Sequence, residues 1–125
     1  MMNSPLKSAR GLGSAKDGTH HWMVQRLTAV ALIPLVLWFV YGIASNFSAD
    51  YVSVVQWIAL PWNTVLLVGF VAAGFWHSAL GVQVVLEDYV ADEFRKVSLL
   101  VISKLLHALL GLAAIIAVLK ISFGN

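Results

Sequence analysis

Two histidines stand inside otherwise apolar stretches and are the side chains best placed to do chemistry. His77 has Gly74 three residues before it and Gly81 four after it, so on a helix all three share one face. His107 has Gly111 four residues after it. An imidazole surrounded by apolar residues must hydrogen-bond to another element or ligate a metal. The small neighbours fit two readings. One is a flat space that a porphyrin ring could occupy; the other is a groove into which a second helix packs. Spacing leaves both open and does not separate the two histidines. A haem held by His77 and His107 within one chain is geometrically allowed, as is a haem that uses only one of them.

A second group follows at Glu87, Asp88 and Tyr89. Asp88 comes eleven residues after His77, which on a helix returns it to within about 20° of the same face, about 16 Å along the axis. Tyrosine is also a common anchor at a membrane surface, and the acids also balance Arg95 and Lys96. Arg26 stands at the start of a long apolar run. It marks the headgroup level or pairs with a carboxylate of a bound cofactor. His20 and His21 lie one to two turns before it and extend the polar cluster. Gly11-Leu12-Gly13 lacks a preceding strand and a third glycine, so it carries no nucleotide-binding signal. The absence of cysteine excludes disulfides, thiolate-held zinc, iron–sulfur clusters and cysteine nucleophiles.

These residues need elements to hold them, and composition names the kind. Of 125 residues, 60% are hydrophobic and only 11% charged, with a formal net charge of +2. A soluble domain is roughly half apolar and about a quarter charged, and a disordered chain needs few apolar residues. An integral membrane protein remains. Between Arg26 and Asp50 lie 23 uncharged residues, and between Asp50 and Glu87 lie 36, continuously apolar only from about Thr64. A third stretch, Val97 to Leu119, is interrupted by Lys104. A spanning helix needs about 20 residues, and open strands cannot satisfy their backbone in lipid. The sequence therefore predicts an all-α integral membrane protein with three transmembrane helices, at about 25–45, 62–87 and 97–120. Residues 1–20 form a cytoplasmic tail, and 21–125 a single transmembrane domain. His77 then lies about 14 Å inside the second span, near the midplane of a ~30 Å hydrocarbon core. His107 reaches a similar depth in the third.

Basic residues set the direction. Lys7, Arg10, Lys16 and Arg26 precede the first span, and Arg95 and Lys96 follow the second. The connection from Ser45 to Pro61 has no Lys or Arg. The N-terminus and the 87–96 loop are placed inside, with Trp57 and Trp62 at the outer interface and Trp22 at the inner one. The first apolar run is too long for a signal-peptide core. Lys104 is expected to snorkel to the inner surface, and Pro34 to kink the first helix.

The segment HSALGVQVVLEDYV, His77 to Val90, resembles the second-helix signature of the small hydrophobic anchor subunits of succinate dehydrogenase, the D-type chain of respiratory complex II. HWMVQRLTAVAL, His21 to Leu32, resembles the start of that family's first helix. The likeness covers about half the chain, from His20 to Val90; the third span matches only in being apolar. It implies half of a two-chain anchor bundle holding one haem b. His77 is then one axial ligand of the haem iron, and the second anchor (cytochrome b556-type) subunit supplies the other. Tyr89 would hydrogen-bond a ubiquinone carbonyl, Asp88 would support that site, and Arg26 would approach haem propionates or the quinone pocket. His20 joins them in the same comparison, while His107 has no counterpart in the motif.

The implied partners are an iron–sulfur subunit, a flavoprotein subunit and membrane lipid, with no nucleic acid. The implied role is to pass electrons from succinate to ubiquinone in a bacterial inner membrane, a mitochondrial inner membrane being the other setting. The chain alone would not oxidise succinate, since it has no flavin fingerprint and no cysteines. Three alternatives remain: a cofactor-free scaffold or assembly protein, a self-contained b-type cytochrome using His77 and His107, and a fumarate reductase anchor.

Overall fold

The computed structural model describes residues 15–124. Four helices follow in order: α1 (Ala15–Ser45), α2 (Tyr51–Ala59), α3 (Pro61–Tyr89) and α4 (Glu93–Phe123). Among the described residues there is no strand. α1, α3 and α4 are each long and apolar enough to cross a membrane, as the sequence predicts, and the chain is a multi-pass membrane protein. α1 begins at Ala15, so residues 15–20 of the predicted tail are helical; residues 1–14 lie outside the described residues. α1 continues on both sides of Pro34.

The polar ends of the helices extend the predicted spans. α4 starts at Glu93 because Asp92 caps it, its carboxylate accepting from the Arg95 N–H at 2.9 Å. That satisfies one of the four backbone donors a helix leaves free at its start. A Lys96–Glu93 pair at 3.4 Å lies one turn into the helix.

α3 is the middle member of a row. α1 packs on one side of it and α4 on the other, while α1 and α4 make no backbone approach to each other among the described residues. The contacts are small or aromatic. Phe39 of α1 stacks on Phe70 of α3 with ring centroids 4.5 Å apart. Gly111 of α4 is buried, and a Cβ there would meet Phe75 of α3 at 3.3 Å. Leu67 is the one buried large hydrophobic among the described residues, and the buried polar residues are Thr28 and Thr64. This is expected where lipid is as apolar as leucine: close approach and interhelical hydrogen bonds join the helices, and hydrophobic burial does not.

α2 is the element the sequence reading does not anticipate. Asp50 starts it, its carboxylate accepting from the Ser53 N–H at 2.9 Å. Hydrogen bonding to Ser53 holds the Asp50 carboxyl below its ordinary pKa. At the other end, the Trp57 carbonyl accepts from Asn63 Nδ2 at 2.8 Å, and the Ile58 carbonyl from Thr64 Oγ1 at 2.8 Å. Thr64 Oγ1 also lies 2.8 Å from Ser122 Oγ of α4. Trp57 turns onto Trp38 of α1, with ring centroids 5.5 Å apart. Gly42 permits that approach, since a Cβ there would fall 2.6 Å from the Trp57 ring. α2 thus ties together one end of α1 and α4, which do not otherwise meet. Trp57 is half-buried in this brace, whereas Trp62 is 79% exposed, as a belt residue would be.

Candidate functional site

His77 faces α1. Its Nδ1 lies 3.0 Å from Thr28 Oγ1, and Thr28 is buried between the two helices. The same hydroxyl lies 2.9 Å from the Val24 carbonyl and 3.0 Å from the Gln25 carbonyl, one turn back in α1. Such back-bonding is how a threonine settles in a helix.

Beside His77 runs a groove of about 560 Å³. His21, Gln25, Arg26 and Ala29 of α1 form one wall, and His77 and Gly81 of α3 the other. Two features mark it as more than a packing seam. A Cβ built on Gly81 would meet nothing within 4 Å, so no helix among the described residues fills the space the glycine leaves. And His21 Nε2 and Gln25 Oε1 are buried without a hydrogen-bond partner. Unpaired polar atoms at such a position are costly and call for a ligand or partner. Arg26 adds a positive charge, its guanidinium 5.6 Å from the centroid of the Trp22 ring, within the range of a cation–π contact.

The predicted residues separate accordingly. His77 and Arg26 come together around the groove. His20 is exposed and outside its lining, and His21 takes the inward position. Asp88 and Tyr89 lie at the far end of α3, with Tyr89 84% exposed, and they do not line the groove. Near them Gln83 donates to Glu87 at 3.0 Å. Gly74 shares the predicted face with His77, yet it lines a different hollow with Phe70 and Ser78. Sequence reading missed Gln25 and Thr28 as site residues. The available signal was spacing: His21, Gln25 and Thr28 follow one another at four and three residues, a single helical face.

His107 is different. Its Nδ1 lies 2.8 Å from the Ser103 carbonyl and its Nε2 3.0 Å from Ser78 Oγ of α3, with an edge-on contact to Phe75. Both ring nitrogens are engaged within the chain. It lines a separate groove of about 400 Å³ between α3 and α4. The two histidines therefore line different grooves, His77 the one between α1 and α3 and His107 the one between α3 and α4. Among the described residues there is also no cluster of three or more His, Cys, Asp or Glu able to hold a metal ion. His77 offers a single imidazole nitrogen, Nε2, beyond its contact with Thr28.

A family model described as succinate dehydrogenase/fumarate reductase transmembrane subunit matches residues 1–120. The chain belongs to this family. Relatives agree along nearly the whole length. The succinate dehydrogenase hydrophobic membrane anchor subunit of Rickettsia bellii is 38% identical over 114 residues, 90% of each chain. That of Rickettsia typhi is 34% identical over 88% of each. That of Paracoccus denitrificans is 29% identical over 90% of this chain and 95% of its own. No solved structure matches. The chain is thus a membrane anchor subunit of the succinate dehydrogenase type.

Proposed function

We propose that this anchor chain gives His77 as one axial ligand to a haem b shared with a second anchor subunit, and that Tyr89 and Asp88 help form a ubiquinone reduction site. The observation that carries the reading is an imidazole tied to Thr28 through one nitrogen, beside a groove that Gly81 leaves open. The groove's lining suits such a group. Gly81 leaves space beside His77, and Arg26 in the lining offers a guanidinium to the carboxylates of a macrocycle. When bound, the haem supplies one-electron redox chemistry within the complex.

This chain's own residues do the rest. His77 presents a neutral nitrogen lone pair at mid-depth, where a charged imidazolium would be expensive. Arg26 holds a positive charge at the rim to orient anionic groups. Tyr89, at the solvated end of α3, donates a hydrogen bond to a quinone carbonyl oxygen. Asp88 beside it passes protons from surface water, so that charge delivered to the quinone is neutralised where water is available. Succinate is oxidised by partner subunits, a flavoprotein and an iron–sulfur protein docked on the basic, cytoplasmic side of a bacterial inner membrane.

The test is the reduced-minus-oxidised visible spectrum of the gently extracted complex. A b-type absorption is expected in the wild type. It should be lost or displaced in His77→Ala and kept in His107→Ala, whose nitrogens are already committed to Ser103 and Ser78. An assembled wild-type complex without b-type absorption would return the chain to a cofactor-free scaffold.

A further inference from the structure

We infer that Thr28 is the positioning residue that fixes His77 in a single tautomer, with its proton on Nδ1 and its lone pair on Nε2. This rests on the haem-ligand reading above and adds the residue that prepares the ligand. A threonine hydroxyl has one proton, and a neutral imidazole has one ring N–H. Thr28 Oγ1 sits 2.9 and 3.0 Å from the Val24 and Gln25 carbonyls and 3.0 Å from His77 Nδ1.

If the hydroxyl donates back to a carbonyl, its oxygen accepts from Nδ1–H, and two protons make two hydrogen bonds. If the hydroxyl instead donates to Nδ1, the ring proton moves to Nε2, for which no hydrogen-bond partner is found among the described residues. That arrangement makes one bond and leaves a donor unpaired inside the membrane, where no water relieves it. The first arrangement wins. It leaves Nε2 as a lone pair on the side chain that lines the groove, which is the form of imidazole that ligates a metal.

The contrast with His107 sharpens the point. There Nδ1 lies 2.8 Å from a backbone carbonyl, which can only accept, so the ring proton is on Nδ1. Nε2 then accepts from Ser78 Oγ. The tautomer is the same, but its lone pair is consumed. At His77 the hydroxyl on α1 does the orienting and the lone pair stays available. A donated Nδ1–H also raises the basicity of the opposite nitrogen, so Thr28 should tune the iron as well as aim its ligand.

The experiment compares Thr28→Val and Thr28→Ser in the assembled complex by haem content, haem affinity and potentiometric titration. Valine keeps the shape and removes the acceptor; serine keeps the hydroxyl. Loss of an outer-shell partner typically weakens metal binding about 10–100-fold. A fall of that order is expected for valine, with an upward shift in midpoint potential, and serine should restore both toward wild type. A purely structural role for Thr28 would lower assembly without moving the potential of the haem that remains bound. Should the valine variant fail to assemble, Thr28→Cys carries the test, because a thiol is a weak acceptor and should raise the potential part-way. Equal affinities and potentials in wild type and every variant that assembles overturn the inference and leave His77 as ligand. A wild-type complex without b-type haem overturns the reading beneath it.

Discussion

A neutral imidazole can give a lone pair from only one nitrogen, so the partner of the other decides what the residue can do. His77 and His107 each have a glycine four residues on, and that spacing does not separate them. Their partners do: His77 has a hydroxyl on one side and an open groove on the other, whereas His107 is closed on both. Tyr89 belongs to this scale too. Its exposure and its distance along α3 from the groove suit a hydrogen bond donor to a substrate arriving at the surface. Tyr89→Phe removes that donor alone. A net hydrogen bond is worth about 1 kcal/mol and more to a charged group, so quinone reductase activity should fall about fivefold or more. Succinate oxidation with an artificial acceptor should persist. Unchanged quinone turnover would make Tyr89 an interfacial anchor only. His77 and Arg26 were legible as candidates because ionisable groups in or beside an apolar run demand a reason. Gln25 and Thr28 shared a helical face with His21 in the spacing, but which atoms they would meet was settled only once α1 lay against α3.

The elements divide in the same way. The three long helices follow from hydropathy and charge alone, since length and the missing charges leave no other structure that lipid tolerates. α2 was hidden in what reads as a loop. Its signals are local, an Asp50 cap three residues before Ser53 and the carbonyl acceptors taken by Asn63 and Thr64. Its purpose is tertiary: it braces two helices whose backbones do not approach each other among the described residues. The brace should depend on pH with a definite sign. The Asp50 carboxyl titrates lower in the folded chain than when unfolded, through its bond to Ser53. Its contribution is therefore complete above the ordinary carboxylate range and is lost as pH falls through the lowered value. Hydrogen exchange at the first amides of α2 is expected to accelerate in acid over that interval. Asp50→Asn, a good cap that does not titrate, should flatten the dependence. Equal acid sensitivity in both proteins would assign it to another group.

At the scale of the molecule the main fact is how little is buried. A row of three helices leaves two broad faces with large exposed side chains, among them Leu37, Leu105 and Leu109, and it leaves the groove at His77 open beside Gly81. Lipid can cover the faces. The groove is where the proposed haem and second anchor subunit would meet this chain, the half-bundle being what the family resemblance implies. Topology can be tested directly because the chain has no native cysteine. With the basic segments inside, a cysteine at Ser48 should react with an impermeant reagent added to intact cells, and one at Ala91 should react only after the membrane is opened. The reverse pattern would invert the orientation.

Composition and charge spacing by themselves determined that the chain crosses a membrane three times as helices, because desolvating a peptide bond in hydrocarbon is so costly that only one local structure survives. They also named an imidazole at mid-depth as the residue to explain. Which nitrogen of which histidine is free, which of two neighbouring histidines turns inward, and that a short helix ties the row together were decided by tertiary structure. Those outcomes depend on what lies across the gap between helices, and the side chains that meet there are 19 to 58 residues apart in sequence.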